Sequence, residues 1–196
     1  MQKPLGILIG GTSHVGKSTF ARMVANAVGG DLISTDDLSR HPGRPWPTVR
    51  AEIAEYYSNL SDETIHWFLK VHHENLWPRI AHIIDVHLQA AKPFVLEGAA
   101  LRPEYMARIE TGVVLPLLLH CSDALLQKRL IEGSRLEDAD EATSALIGKF
   151  IKRSLRDNDD LLDAARKAQI RCIDVGASGA IDMLAKELSD ALPGSS

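Results

Sequence analysis

The sequence predicts a three-layer α/β/α protein, with helices on both faces of a five-stranded parallel sheet. Three observations point there. Short apolar runs alternate with longer helical patterns along the 196 residues, as in chains built from βαβ units. The first apolar run, Leu5-Gly6-Ile7-Leu8-Ile9, leads through a glycine-rich loop directly into a helical pattern. Carboxylates close the second and third apolar runs, where open α/β sheets bind their ligands.

The predicted strands are Gly6–Ile9, Asp31–Ser34, Phe94–Leu96, Val114–His120 and Ile170–Val175. The predicted helices are Lys17–Val28, a long stretch from Asp62 to Ala91, Pro103–Ile109, Asp123–Ile131, Glu141–Ala168 and Ala180–Leu192. Leu115–Leu119 is nearly continuous in apolar character, as a strand covered on both faces should be. Pro116 is awkward within it, because proline donates nothing to a ladder. Ser61 followed by Asp62 and Glu63 is a favourable helix start. Pro78 is expected to break or kink the long helix near Trp77. The segment His41-Pro42-Gly43-Arg44-Pro45-Trp46-Pro47 reads as a stiff loop after the second strand, and Pro193–Ser196 as a frayed tail.

Composition sets the outer bounds. Hydrophobic residues make up 45% and charged residues 24%, which suits a globular protein with a full core. A net charge of -4 argues against nucleic acid as the main partner. The longest apolar run is far short of a membrane span, and the early one flows into the glycine-rich loop rather than a cleavage site. Cys121 and Cys172, each in or at the end of an apolar run, read as free thiols of a reducing compartment. The expectation is a single cytoplasmic domain, monomer or homodimer, with no membrane and no nucleic-acid partner.

Gly11-Thr12-Ser13-His14-Val15-Gly16-Lys17-Ser18 fits the phosphate-binding pattern G-x-x-x-x-G-K-[ST] at every fixed position, in the strand–loop–helix context the pattern needs. Its glycines reach backbone conformations closed to other residues. Successive amides then converge on a polyphosphate at the positive end of a helix. Gly11 to Thr19 are therefore expected to hold a nucleotide, Lys17 at its outer phosphates and Ser18 on Mg²⁺. No guanine-selecting N-K-x-D is present, which favours ATP.

Asp36 and Asp37 follow the second strand, and Glu97-Gly98 closes the third. Carboxylates there order Mg²⁺ directly or through water, or take a proton from an attacking hydroxyl. Ser18, Asp36 and Glu97 are the expected metal site, with Asp36 or Asp37 as the base. Lys149, Lys152, Arg153 and Arg156 fall at i, i+3, i+4 and i+7, on one helical face. They are expected to close as a lid, about residues 132–157, over transferring phosphate, joined by Arg129. Arg40, Arg44 and Arg102 are candidates to hold an anionic acceptor, with Asp37. The eight histidines show no zinc-like spacing.

These same residues resemble a known family. Ile7–Ser13 with Val15–Thr19, Ile33-Ser34-Thr35-Asp36-Asp37, and Leu96-Glu97-Gly98 with Arg102-Pro103-Glu104 are similar to 2-phosphoglycerate kinase and its small P-loop kinase relatives. The resemblance covers the first forty residues and the third-strand region. It implies the P-loop NTPase fold with sheet order 2-3-1-4-5 and a helical lid, and it implies that Gly176–Gly179 borders the adenine. His14 stands where that family often has glycine. Zeta-toxin-like and chloramphenicol-phosphotransferase-like kinases share the loop and the strand-two acid, which leaves the acceptor open. The function expected is transfer of the γ-phosphoryl group of ATP to a hydroxyl of a small, anionic acceptor. The alternative, from another class, is a nucleotide-dependent switch or regulatory ATPase with no acceptor.

Overall fold

The computed structural model describes residues 4–38, 43–109 and 112–191, the last three of these as backbone alone. Arg40, His41 and Pro42 lie outside the described residues, as does the tail from Leu192. Five strands, β1 (Gly6–Gly10), β2 (Asp31–Ser34), β3 (Phe94–Glu97), β4 (Val114–His120) and β5 (Arg171–Asp174), form one sheet in the order β2-β3-β1-β4-β5. Every pairing is parallel. The described helices are α1 (Lys17–Val28), α2 (Ala51–Asn59), α3 (Asp62–Gln89), α4 (Pro103–Met106), α5 (Asp123–Ser134), α6 (Glu141–Lys167) and α7 (Ala180–Ala191).

Strand periodicity sends successive side chains to opposite faces. Ile7, Ile9, Val95, Leu117 and Leu119 therefore join one core with α1, α2 and α7. Leu8, Phe94, Leu96 and Leu118 join the other, with α3 and α4. The helix α6 belongs to both: Leu146, Ile147, Phe150 and Ile151 pack in the first core, Leu161 and Ala165 in the second. At about 1.5 Å per residue, it is long enough to reach from the ligand edge of the sheet to its opposite end.

Three expectations are corrected. The long helix α3 is one element through Pro78. A proline inside a helix costs about 3 kcal/mol, and here Leu76, Ile80 and Ile84 bury one continuous face on either side of it. That packing outweighs the lost hydrogen bond. The helix α2 was not anticipated after the proline-rich loop; Ile53 and Tyr57, four residues apart, are its buried face. The helix after Arg102 spans only Pro103–Met106. Pro116 is tolerated because β5 begins to pair only at Leu117, so a missing donor on that edge breaks no ladder bond.

Among the described residues, no helix is long and apolar enough to cross a membrane. Both cysteines are free thiols, Cys121 buried and Cys172 half-buried.

Candidate active site

The ligand edge of the sheet is built first by the loop from β1 to α1. Gly11 has φ 146°, and a Cβ there would stand 2.6 Å from the Leu119 carbonyl oxygen, so only glycine lets the loop leave β1 this way. Gly16 caps α1 with φ 105° and offers no side chain to the first-turn amides, and no acidic residue occupies that turn. The amides and the positive end of α1 are thus left for an external anion.

Side chains fix the loop from three directions. Thr12 is buried and its hydroxyl donates to the Ser154 carbonyl of α6 at 3.2 Å. Arg129 of α5 donates to the Val15 carbonyl at 3.0 Å. Lys17 Nζ donates to the Thr12 carbonyl at 2.7 Å. Burial holds the Lys17 ammonium below its ordinary range, although Glu97, Asp36 and Asp157 pull it back.

The carboxylate of Glu97 organises the hydroxyls beside the loop. It is buried at the end of β3, and one oxygen accepts from the Ser18 hydroxyl at 3.2 Å and the Ser34 hydroxyl at 2.8 Å. Gly98 makes this possible: its φ is 151°, and a side chain there would overlap Thr35, so β3 and the end of β2 approach closely only with glycine. Ser34 is a site residue that sequence reasoning missed; the signal was a hydroxyl at the last position of β2, in register with Glu97. Among the described residues no three His, Cys, Asp or Glu side chains cluster as a ready metal cage. The hard oxygens of Ser18 and Glu97 still suit Mg²⁺, which is bound through one or two protein groups, waters and substrate phosphates.

A cavity of about 260 Å³ opens beside the loop. Lys17, Ser18, Asp36 and Glu97 line it, together with Arg44, His14 and Thr35 and, from α3 and α6, Leu69, His73, Phe150, Arg153 and Asp157. Asp36 sits in a turn of 3-10 helix, Thr35–Asp37, whose amide bonds to Ser34. Asp37 is exposed and does not line the cavity. The Arg153 guanidinium sits over the Phe150 ring, 4.1 Å from its centroid, and donates to the Tyr57 hydroxyl. Trp46 packs edge-on against Phe150, with ring centroids 4.7 Å apart, and meets the His14 ring at 5.7 Å. Burial, with Arg44, Lys17 and Arg153 around it, drives the His14 imidazole down to about 4.

Two expected contacts are redirected. Arg102 is fully buried and pairs with Asp157 at 3.0 Å and Glu104 at 3.3 Å, so it offers nothing to an acceptor. Burial opposes both charges of the Arg102–Asp157 pair, yet their mutual attraction prevails: it raises the guanidinium and lowers the carboxyl. Of Lys149, Lys152, Arg153 and Arg156 on α6, only Arg153 lines the cavity. Lys149 donates to the Leu60 carbonyl, Lys152 pairs with Asp62, and Arg156 pairs with Glu63 at 2.7 Å. Helical spacing aligned these residues, but α3 and the turn before it supply acids and a carbonyl that take three of them. A second cleft, lined by Val15, Thr19, Phe20, Arg129, Val175 and Ile181, lies on the other side of the loop. Val175 and Ile181 flank the Gly176–Gly179 loop.

No family model matches the chain, and no curated protein matches it. Solved structures do. A shikimate kinase from Bacteroides thetaiotaomicron is 14% identical, with 95% of this chain and 97% of that one covered and a TM-score of 0.51. A gluconokinase from Sinorhizobium meliloti is 20% identical over 97% and 93%, with a TM-score of 0.48. A dephospho-CoA kinase from Campylobacter jejuni is 15% identical over 95% and 98%, with a TM-score of 0.46. At these identities the likeness is one of architecture and does not single out 2-phosphoglycerate kinase: the chain has the all-parallel 2-3-1-4-5 sheet of the P-loop kinases.

Proposed function

We propose that this protein is an ATP- and Mg²⁺-dependent kinase that phosphorylates a hydroxyl of a small, anionic acceptor. One observation carries the reading. A single cavity is lined both by the phosphate loop with Lys17, Ser18 and Glu97 and by Asp36, Arg44 and Arg153. A nucleotide switch without an acceptor has no use for the second set.

The loop amides and Lys17 bind the β- and γ-phosphates, and the cleft beside Arg129, Val175 and Ile181 takes the base. Ser18 and Glu97 would hold Mg²⁺, which would supply charge neutralisation at the transferring phosphate. Ser18 would be its direct protein ligand, and Glu97, which accepts from the Ser18 hydroxyl, orients that hydroxyl. Asp36 accepts the proton of the acceptor hydroxyl as its oxygen forms the new bond to the γ-phosphorus. The bond to the β–γ bridging oxygen breaks, and ADP departs with that electron pair. Arg44 and Arg153 hold the acceptor's anionic group and screen the transferring charge. Arg153 is carried by α6, which packs into both cores, so it reaches the transferring phosphate as a fixed wall of the site. Catalysis of this kind is positioning and electrostatics.

The test is calorimetric binding of Mg-ATP, followed by a transfer screen over hydroxy acids, sugars and nucleosides. Lys17→Ala is expected to fold normally by circular dichroism and to lose about 10²-fold or more in turnover. A well-folded wild type with no affinity for any purine triphosphate overturns the assignment.

A further inference from the structure

The cavity holds an acid that the mechanism above does not use. Phe150, Arg153 and Asp157, at i, i+3 and i+7, form the face that α6 turns to the cavity. Among the described residues only two acids are buried, Glu97 and Asp157, and both line this cavity. Glu97 is bonded to Ser18 and Ser34. Asp157 is only 1% exposed, and its Oδ1 accepts from Arg102 at 3.0 Å. Its Oδ2 bonds no described residue, yet it is not one of the buried atoms closed off from solvent. The surface it keeps is the cavity's.

Stability alone does not account for this acid. A buried Arg–Asp pair is often no better for a fold than two apolar residues of similar volume. The surroundings define what its open oxygen would take. Burial opposes the Asp157 charge, but the Arg102 and Arg153 guanidiniums hold the carboxyl below its ordinary range. The oxygen is therefore an acceptor only and needs a donor. Anionic groups of a ligand have their partners in Arg44 and Arg153. An ammonium would be repelled by the Arg102 and Arg153 charges beside Asp157. A neutral hydroxyl meets neither objection.

We propose that Asp157 is a specificity-determining residue of the acceptor site: its Oδ2 accepts a hydrogen bond from a second hydroxyl of a small polyhydroxy acid whose first hydroxyl lies at Asp36 and whose anionic group lies at Arg44 and Arg153. Arg102 is then a positioning residue, acting through the carboxylate it holds. This deepens the kinase reading and rests on it. A site that hydrogen-bonds a substrate hydroxyl rejects the analogue lacking it, because the buried partner is then left unpaired.

The experiment is calorimetry on the full-length protein saturated with Mg-AMP-PNP, with D-glycerate and D-gluconate as probes and propanoate, which has no hydroxyl, as the comparison. At least one hydroxy acid is expected to bind, and about tenfold or more tightly than propanoate. The double variant Arg102→Met with Asp157→Leu removes both buried charges together, so it should fold by circular dichroism. It should lose about tenfold or more in affinity for that hydroxy acid, with Mg-AMP-PNP and propanoate affinities unchanged. Asp157→Asn, which keeps an acceptor oxygen, should retain part of the preference. A wild type that binds the hydroxy acids no better than propanoate overturns the proposal, as does a folded double variant that keeps the wild-type preference. So does a wild type that binds Mg-AMP-PNP but neither hydroxy acid at millimolar concentration. Failure to bind Mg-AMP-PNP sinks the kinase reading itself, and the acceptor role of Asp157 with it.

Discussion

The two ends of the cavity are made in different ways. The proposed phosphate end is one contiguous loop, Gly11–Ser18, which offers backbone amides at a helix start. The proposed acceptor end is assembled from the β2 terminus, the loop before α2, the middle of α3 and the middle of α6, and it offers side chains. A backbone site depends on glycines and local geometry, so substitutions around it act through a few positions. A side-chain site depends on packing between distant elements, so each residue there has a structural job competing with a chemical one. Arg102 and Arg153 illustrate the competition: one is consumed by Asp157, while the other keeps its place in the cavity.

The strongest way to break the comparison is at Asp36. Asp36→Asn should lower kcat by about 10²- to 10⁴-fold while Mg-ATP affinity, measured by calorimetry, stays near wild type. An equal loss in nucleotide affinity would show that the two ends are not separable. Next comes the buried pair. Arg102→Met leaves Asp157 as an uncompensated buried charge and should destabilise the fold by about 3–5 kcal/mol, read from urea unfolding. Arg102→Met together with Asp157→Leu should recover much of that loss. A large effect on acceptor KM with stability intact would return Arg102 to the binding site.

A pH series sharpens the picture at His73. Folded His73 takes up a proton only near pH 3, whereas the unfolded side chain does so near its ordinary 6.5. Below the latter the unfolded chain binds more protons, so stability falls as pH drops through that window. The slope for this group approaches ~1.4 kcal/mol per pH unit. His14, held down to about 4, slopes the same way. Urea midpoints of His73→Asn should therefore fall less steeply with acid than those of the wild type. The smallest effects belong to the outward cations. Arg156→Ala removes an exposed pair with Glu63 and should cost no more than about 1 kcal/mol, with turnover unchanged, whereas Arg153→Ala should raise acceptor KM.

Much of this was legible in the sequence because its causes are local. The phosphate loop, the alternation of strands and helices, and the acid at the end of β3 follow from glycine geometry, periodicity and strand-end position. The signals that misled were local as well. Pro78 forbids a helix hydrogen bond, yet the buried face of Leu76, Ile80 and Ile84 overrides it. The i, i+3, i+4, i+7 spacing aligned four cations, but spacing says nothing of Asp62 and Glu63 waiting on α3. Arg102, beside a recognisable motif, looked available until Asp157, fifty-five residues away, claimed it.

By itself the chain determined the glycine-rich loop and lysine of the proposed phosphate site, since backbone conformation and a lysine set that within a few consecutive residues. Only the tertiary structure decided which side chains face the acceptor, because α3 and α6 must first pack against the sheet edge before His73 and Arg153 can share one cavity while Arg102 and Arg156 are drawn away. Burial and ion pairing between distant segments make that choice, and neither is written in sequence spacing.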